Sequence, residues 1–382
     1  MSTIHIKKTS YKEIFGFYKG KKILITGNTG FKGSWLTHIL LSAGAEVTGY
    51  SLQPSTDPSL FNILCLENRK GLTQHFADIR DQHALKTVFQ SSRPEIVFHL
   101  AAQPIVRDSY KDPVNTYSTN IMGTVNICEA IRTTLDEAGN SCVRSFLNVT
   151  TDKVYKNKEW CWGYRETDEL DGGDPYSNSK SCSELITHCY KDSFLIDADV
   201  RVSTARAGNV IGGGDFSNDR IIPDCIRAIK EADNGEAVIN VRNPYSTRPY
   251  EHVLEPLFAY LLIAKMQYEN ILYADYYNVG PDDIDCVTTG NLVTIFTDIW
   301  NSNCVSPSCS WVNRSESHAP HEANFLKLDC SRLKSAFGWK STWHIDEAVE
   351  HVISWTKVWL EGGDIISEMD GEIHKFIEDS DK

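Results

Sequence analysis

The stretch that most limits the fold is Gly27-Asn28-Thr29-Gly30-Phe31-Lys32-Gly33. It stands between a short apolar run at 22–26 and a segment of helical apolar spacing at 31–43. Gly44 stops that helix, and 46–50 reads as a second short strand. Strand, glycine turn, helix and strand form a βαβ unit. Its strands run parallel in one sheet, because the crossover helix returns the chain to the end where it began. Further strands are expected at 72–77, 95–100, 146–151 and 200–205. Helices are expected at 82–90, 115–132, 176–190, 221–230, 256–268 and 348–360.

This alternation predicts an α/β fold, a doubly wound parallel Rossmann sheet, over residues 1–205. After Gly208 the pattern loosens. Gly212-Gly213-Gly214 makes a turn, and Pro223, Pro244, Pro249 and Pro281 punctuate the second half of the chain. Residues 206–382 are read as mainly a smaller, substrate-binding lobe, some of whose elements return to the first domain. The acidic tail after Gly362 is expected to fray.

The 382-residue chain is long enough to bury a large core. A net charge of −13 argues against nucleic acid or an anionic membrane as a general partner. No apolar run reaches transmembrane length, and residues 1–9 lack a signal-peptide core. Eleven cysteines are scattered without a Cys-x-x-Cys pair, so reduced thiols in a cytoplasmic protein are expected, and no metal site. Cys304 and Cys309 are read as part of a Ser/Pro loop.

The glycine turn suits a dinucleotide. Gly27 and Gly30 would let the backbone approach a pyrophosphate, Gly33 would let the helix pack closely on the sheet, and the helix N-terminus would supply amide donors. The glycines recur every three residues, unlike the common Gly-x-Gly-x-x-Gly pattern. Asp78 and Ile79, after the third strand, are expected to border an adenine ring. Leu100, Ala101 and Ala102, after the fourth, would let a cofactor lie flat. The second strand ends at Tyr50-Ser51-Leu52-Gln53, with neither a ribose-binding carboxylate nor an Arg for a 2′-phosphate; NAD is the cofactor chosen.

The reacting groups are read from Thr151-Asp152-Lys153, which closes one apolar strand, and from Tyr176 and Lys180, which share a helical face. Asp174 caps that helix before Pro175. A phenol beside an ammonium accepts a hydroxyl proton during hydride transfer, and Lys180 is expected to favour the phenolate. Tyr18 and Lys22 share the spacing but precede the first strand and are read as a chance match. His99 is given no role. Arg220, Arg242 and above all Arg248 are candidates for a diphosphate. Gln103 and Arg107 would line a sugar pocket or brace their own loop.

These motifs resemble the extended short-chain dehydrogenase/reductase family over roughly residues 21–360. Within it the chain resembles the nucleotide-sugar 4,6-dehydratases, on the branch that takes CDP-glucose. The closer likeness is carried by Gly30-Phe31-Lys32-Gly33-Ser34-Trp35, Ala101-Ala102-Gln103-Pro104, Thr151-Asp152-Lys153, the stretch from Asp174 to Lys180, the stretch from Arg206 to Asp215, and residues 318–330.

The resemblance implies oxidation at C4 of the glucosyl unit, with Tyr176 taking the hydroxyl proton and Thr151 holding that oxygen. Water is then eliminated across C5 and C6 with Asp152 as acid, and hydride returns to C6. NAD is regenerated. Lys153 stands where related dTDP-sugar enzymes carry a Glu base; it is either a neutral amine base or a charged stabiliser of the enolate oxygen. The resemblance also implies cofactor contacts at Thr29, Phe31 and Thr119, nucleotide contacts at Asn209 and His321, and a homodimer formed through a four-helix bundle. In that bundle Ile121, Val125, Cys128 and Ile131 would form the apolar stripe. It further implies a place in deoxysugar biosynthesis of the lipopolysaccharide O-antigen kind. Two other readings stay open: a nucleotide-sugar 4-epimerase or a dehydratase for another nucleoside diphosphate sugar, and a non-catalytic NAD-sensing protein.

Overall fold

In a computed structural model, the described residues are 9–136, 139–232, 235–303, 306–315 and 325–382. β1 (Lys22–Thr26), β2 (Glu46–Ser51), β3 (Leu72–Phe76), β4 (Ile96–His99), β5 (Ser145–Thr151) and β6 (Arg201–Ala207) pair in parallel, in the order 3-2-1-4-5-6. This is the doubly wound Rossmann arrangement, with its change of winding direction between β1 and β4.

Alternate residues of the strands feed two cores, as a period of two requires. Ile23, Ile25, Ile96, Phe98, Leu147 and Val149 face helices Phe31–Ser42 and Leu254–Glu269. Leu24, Val97, Phe146 and Val202 face helices Gln82–Ser92 and Gly123–Thr133 on the other side.

The second half adds β7 (Asn209–Ile211), β8 (Glu236–Val241), β9 (Thr247–His252), β10 (Tyr276–Val279), β11 (Cys286–Thr288) and β12 (Ser308–Asn313). β11, β9 and β7 form one small sheet, and β12 pairs with β8. These build a second core with helices Ile221–Glu231, Thr289–Asn303 and Ile345–Leu360. Two elements cross the division expected at residue 205. β10 pairs in parallel with β6 as a seventh strand, and helix Leu254–Glu269 covers the main sheet.

Four expectations need correction. The acidic tail does not fray: Ile365–Ser380 is a helix that buries Ile365, Met369, Ile373 and Phe376. Those residues recur at helical spacing, and most of the charges occupy the opposite face, though Glu372 is buried among them. Cys309 lies buried on β12, not in a loop. The helix expected at 115–132 is continuous in path but starts at Pro113 and carries a π-turn at Ser118–Met122, which holds Thr119. Cys128 and Ile131, expected on a partner-facing stripe, pack instead into the protein's own core, while Ile121 and Val125 are half-buried.

Helix Pro175–Tyr190, which carries the reacting Tyr and Lys, is pinned from below by a buried ion pair. Glu184 receives Arg206 at 2.9 Å and Thr204 at 2.7 Å, and also bonds Thr150. Burial alone would raise the Glu184 carboxyl; the Arg206 guanidinium together with the His188 and Thr150 hydrogen bonds outweighs it and holds the group down to about 2. Its contribution to stability is therefore complete above the ordinary value of 4.5 and disappears as pH falls through about 2. Arg206→Leu leaves Glu184 buried without its counter-charge, and the expected loss is about 3–5 kcal/mol, read by urea unfolding. An unchanged midpoint would remove this pair as the anchor.

Candidate active site

The glycine turn stands at the C-terminal edge of the sheet, where β1 ends. Gly27 has φ +73°, and a Cβ there would lie 2.7 Å from the Ala101 backbone nitrogen, so the turn after β1 and the turn after β4 touch through a position only glycine fits. A Cβ on Gly33 would lie 2.2 Å from the Gly27 carbonyl oxygen, which keeps the first helical turn against the loop. The helix thus presents its opening amides over the sheet edge, a cradle that fits a dinucleotide pyrophosphate.

Thr29 is committed by its hydroxyl to the Leu52 carbonyl at 2.9 Å. Beneath the turn, Asn28, Ser51 and Gln74 interlock, with Ser51 donating to Asn28 at 2.9 Å and Asn28 to Gln74 at 2.6 Å. Asp78 is gripped by Arg80, whose Nη2 stands 2.6 Å away, and is lowered by that bond. Ile79 is a core residue against Gly123. Leu100, Ala101 and Ala102 are half-buried at the end of β4. His99 is buried between Thr26 (2.7 Å) and Thr124 (3.5 Å) and pushed down to about 3 by desolvation and the Lys180 charge; it is a packing residue. Tyr18 bonds the Leu261 carbonyl in the core while Lys22 opens β1, so that pair is indeed fortuitous.

Thr151 and Asp152 come together, and the Tyr176 phenol feels both of them. The Thr151 hydroxyl donates to Asp152 Oδ1 at 2.9 Å. Asp152 is 1% exposed, and Oδ2 has no hydrogen-bond partner. Burial raises its carboxyl above the ordinary value, against the pull of Lys153, Thr151, Arg248 and Lys32. Asp174 caps the helix by accepting from Ser177 N at 3.0 Å, which fixes where Tyr176 starts.

The Tyr176 phenol is pushed up to about 12 by burial. The Lys180 ammonium donates to the Val149 carbonyl at 3.0 Å. It is itself pushed down to about 8 by burial and by Lys32.

The candidate substrate cations split into two groups. Arg107 (3.7 Å) and Arg242 (2.6 Å) share Asp219, and Arg220 pairs with Asp215 at 3.2 Å while its charge reaches Tyr176. Arg248, expected above all at the diphosphate, lies on β9, is 5% exposed, donates to the Thr247 carbonyl at 2.9 Å and acts electrostatically on Asp152. The alternation along a fully buried strand turns it inward. Gln103 braces its loop through Ile105 and Thr116. Asn209 is half-buried on β7 beside β9. His321 lies outside the described residues.

Four residues escaped the sequence reading. Asn120 ties the Gln103 backbone to Ser179 and so joins the β4 turn to the reactive helix. Glu184 anchors that helix. Glu251 lies buried and Lys32 half-buried, and each interacts electrostatically with Asp152. The last two had a signal: each is a charge inside a run whose other residues read as buried.

A sequence model of the family described as GDP-mannose 4,6 dehydratase matches residues 24–352, and the chain belongs to that family. More particularly, it is 44% identical over 356 residues to CDP-glucose 4,6-dehydratase of Salmonella typhimurium, covering 92% of this chain and 94% of that one. It is 25% identical over 348 residues to a probable dTDP-glucose 4,6-dehydratase of Sinorhizobium fredii, covering 90% and 93%. Among solved structures, dTDP-glucose 4,6-dehydratase of Bacillus anthracis in complex with NAD superposes with a TM-score of 0.70 at 17% identity, over 91% of this chain and all of that one (100%). UDP-glucose 4-epimerase of Thermotoga maritima with UDP-glucose gives 0.73 at 20%, over 88% and 99%. The structural likenesses establish the fold, which dehydratases and epimerases share.

Proposed function

We propose that this chain is a hydro-lyase that converts CDP-glucose to CDP-4-keto-6-deoxyglucose with NAD as a regenerated cofactor. The carrying observation is the buried Asp152 carboxyl, raised by burial, which accepts from Thr151 at 2.9 Å and acts electrostatically on the Tyr176 phenol. An epimerase needs the phenol but no acid for C6. Identity to the Salmonella enzyme supports cytidine as the base.

Bound NAD supplies a reversible hydride acceptor, so hydride leaves C4 and returns at C6. Tyr176 takes the C4 hydroxyl proton, and Thr151 orients that oxygen. The resulting ketone acidifies the C5 proton, which Lys153 as base takes up and which is replaced at C5 when hydride reaches C6. Asp152 gives its proton to the C6 hydroxyl, which leaves as water. The C4 proton thus ends in the water released, once one proton passes from Tyr176 to Asp152, whose carboxyl accepts from Thr151. The arginines near Asp215 and Asp219 hold the diphosphate.

Incubation with CDP-glucose and NAD⁺, developed in alkali, is expected to give the 4-keto chromophore. Parallel tubes with the dTDP, UDP and GDP sugars read base choice. An epimerised hexose, or no turnover, overturns the proposal.

Lys153 is the proposed C5 base or enolate stabiliser. In Lys153→Ala, solvent deuterium incorporation at C5 is expected to fall at least tenfold; normal exchange rules the base role out. We also assign a homodimer through helices 113–133 and 175–190, supported by exposed Val114, Met122 and Leu185, and sedimentation of a monomer at micromolar protein would end that assignment. Ten described cysteines are free thiols, which supports a reducing, cytoplasmic location; persistent disulfides in protein isolated under alkylating conditions would count against it. Among the described residues no helix is long and apolar enough to cross a membrane.

A further inference from the structure

The loop that follows β7 carries acids and arginines beside the dinucleotide cradle. It is held there by the first turns of helix Phe31–Ser42. Trp35 donates to the Gly213 carbonyl at 2.9 Å, and a Cβ on Gly212 would lie 3.1 Å from the Phe31 ring. Two of the acids have local work. Asp215 is 3% exposed and accepts from the Ser217 backbone at 3.0 Å and from Arg220 at 3.2 Å. Asp224 pairs with Arg227 on its own helix.

Asp219 instead serves residues from both halves of the chain. Its Oδ1 receives Arg242, which follows β8, at 2.6 Å, and faces Arg107 of helix Val106–Lys111 at 3.7 Å. Arg242 also stands 3.7 Å from Asp224; among the described residues Arg107 makes no other ion pair. Arg107 reaches out from the cofactor half and Arg242 from the second lobe, and both aim at one carboxylate oxygen.

Two like charges brought to one atom need an anion between them. Asp219 supplies a single negative charge. The side chains of Arg107, Asp219 and Arg242 are 32%, 28% and 36% exposed, so water and ligand reach the contact. Ion pairs of that kind add little to folding stability and exchange readily. A diphosphate brings more charge and several oxygens to the same two guanidiniums and fills both forks at once. The Asp219 carboxylate contends for those donors and repels the incoming phosphates.

We propose that Asp219 is an internal competitor at the diphosphate subsite, a residue that sets nucleotide affinity by contending with the substrate's phosphates for Arg107 and Arg242. The inference rests on the reading that these arginines hold the diphosphate. The exchange makes and breaks no covalent bond. A carboxylate that only bridged the two lobes would act in the opposite sense: its loss would loosen the cleft and weaken nucleotide binding. The sign of one substitution therefore decides.

Asp219→Asn keeps the side-chain size and tolerates the φ of +59° held at this position. Calorimetric titration of the full chain, saturated with NAD⁺, is expected to give a Kd for CDP about 3- to 20-fold lower in this variant than in wild type. Cytidine, which has no phosphates, is expected to bind both proteins alike. Asp219→Gly takes the same backbone without strain and carries the same expectation if the Asn chain misfolds. Unchanged or weaker CDP binding, or an equal gain for cytidine, overturns the proposal.

Arg242→Gln reads the underlying assignment separately and is expected to weaken CDP at least about tenfold. If it leaves CDP affinity unchanged, the diphosphate is held elsewhere and the inference falls with that reading. If it weakens CDP while Asp219→Asn fails to tighten it, only the competitor role is lost. UDP and dTDP, titrated in parallel, are expected to show the same gain in Asp219→Asn, so the test stands whichever base the enzyme prefers.

Discussion

Tyr176→Phe is expected to lower kcat by about 100- to 10,000-fold while CDP still binds, read by calorimetry and by product formation. The substitution removes one oxygen from a helix whose position is set elsewhere, by the Asp174 cap and by Glu184. The fold therefore stays, and the loss falls on the proton transfer that accompanies C4 oxidation. In the ligand-free protein burial pushes this phenol up to about 12. The base form grows as pH rises, so wild-type activity has an ascending limb that the Phe variant lacks. A Phe variant within tenfold of wild type would show that the C4 proton leaves by another route.

Asp152→Asn is expected to separate the two halves of the reaction. The side chain keeps its shape but has no acidic proton, so loss of the C6 hydroxyl slows by about 100- to 10,000-fold while C4 oxidation proceeds. The visible result is reduced nicotinamide absorbance building in a single turnover without 6-deoxy product by mass spectrometry. Equal loss of both halves would show that Asp152 organises the pocket and does not protonate the leaving group.

Much of this was legible in the chain, for identifiable reasons. The six strands β1 to β6 and their parallel, doubly wound sheet followed from short apolar runs alternating with helical periods, because a parallel sheet covered on both faces leaves little choice of topology. Tyr176 and Lys180 were legible because a capped helix fixes which side chains share a face. Other features depend on partners far apart in sequence. Glu184 and Arg206 meet only once β6 and the helix are in place. β10 has four residues, too few for a period, and is recruited by an unpaired sheet edge. Arg248 read as a diphosphate ligand from its charge and motif, while its burial on β9 depends on how that strand packs and was not legible in the chain. The π-turn at Ser118–Met122 leaves no mark in the spacing of apolar residues.

The returning elements also govern how the protein comes into being. β10 and helix Leu254–Glu269 complete a sheet whose other strands are all made before residue 208. As the ribosome releases the first half, it carries an open β6 edge and one bare apolar face, and these close only after some seventy further residues have emerged. The six-strand half of the sheet therefore matures together with the later elements that return to it.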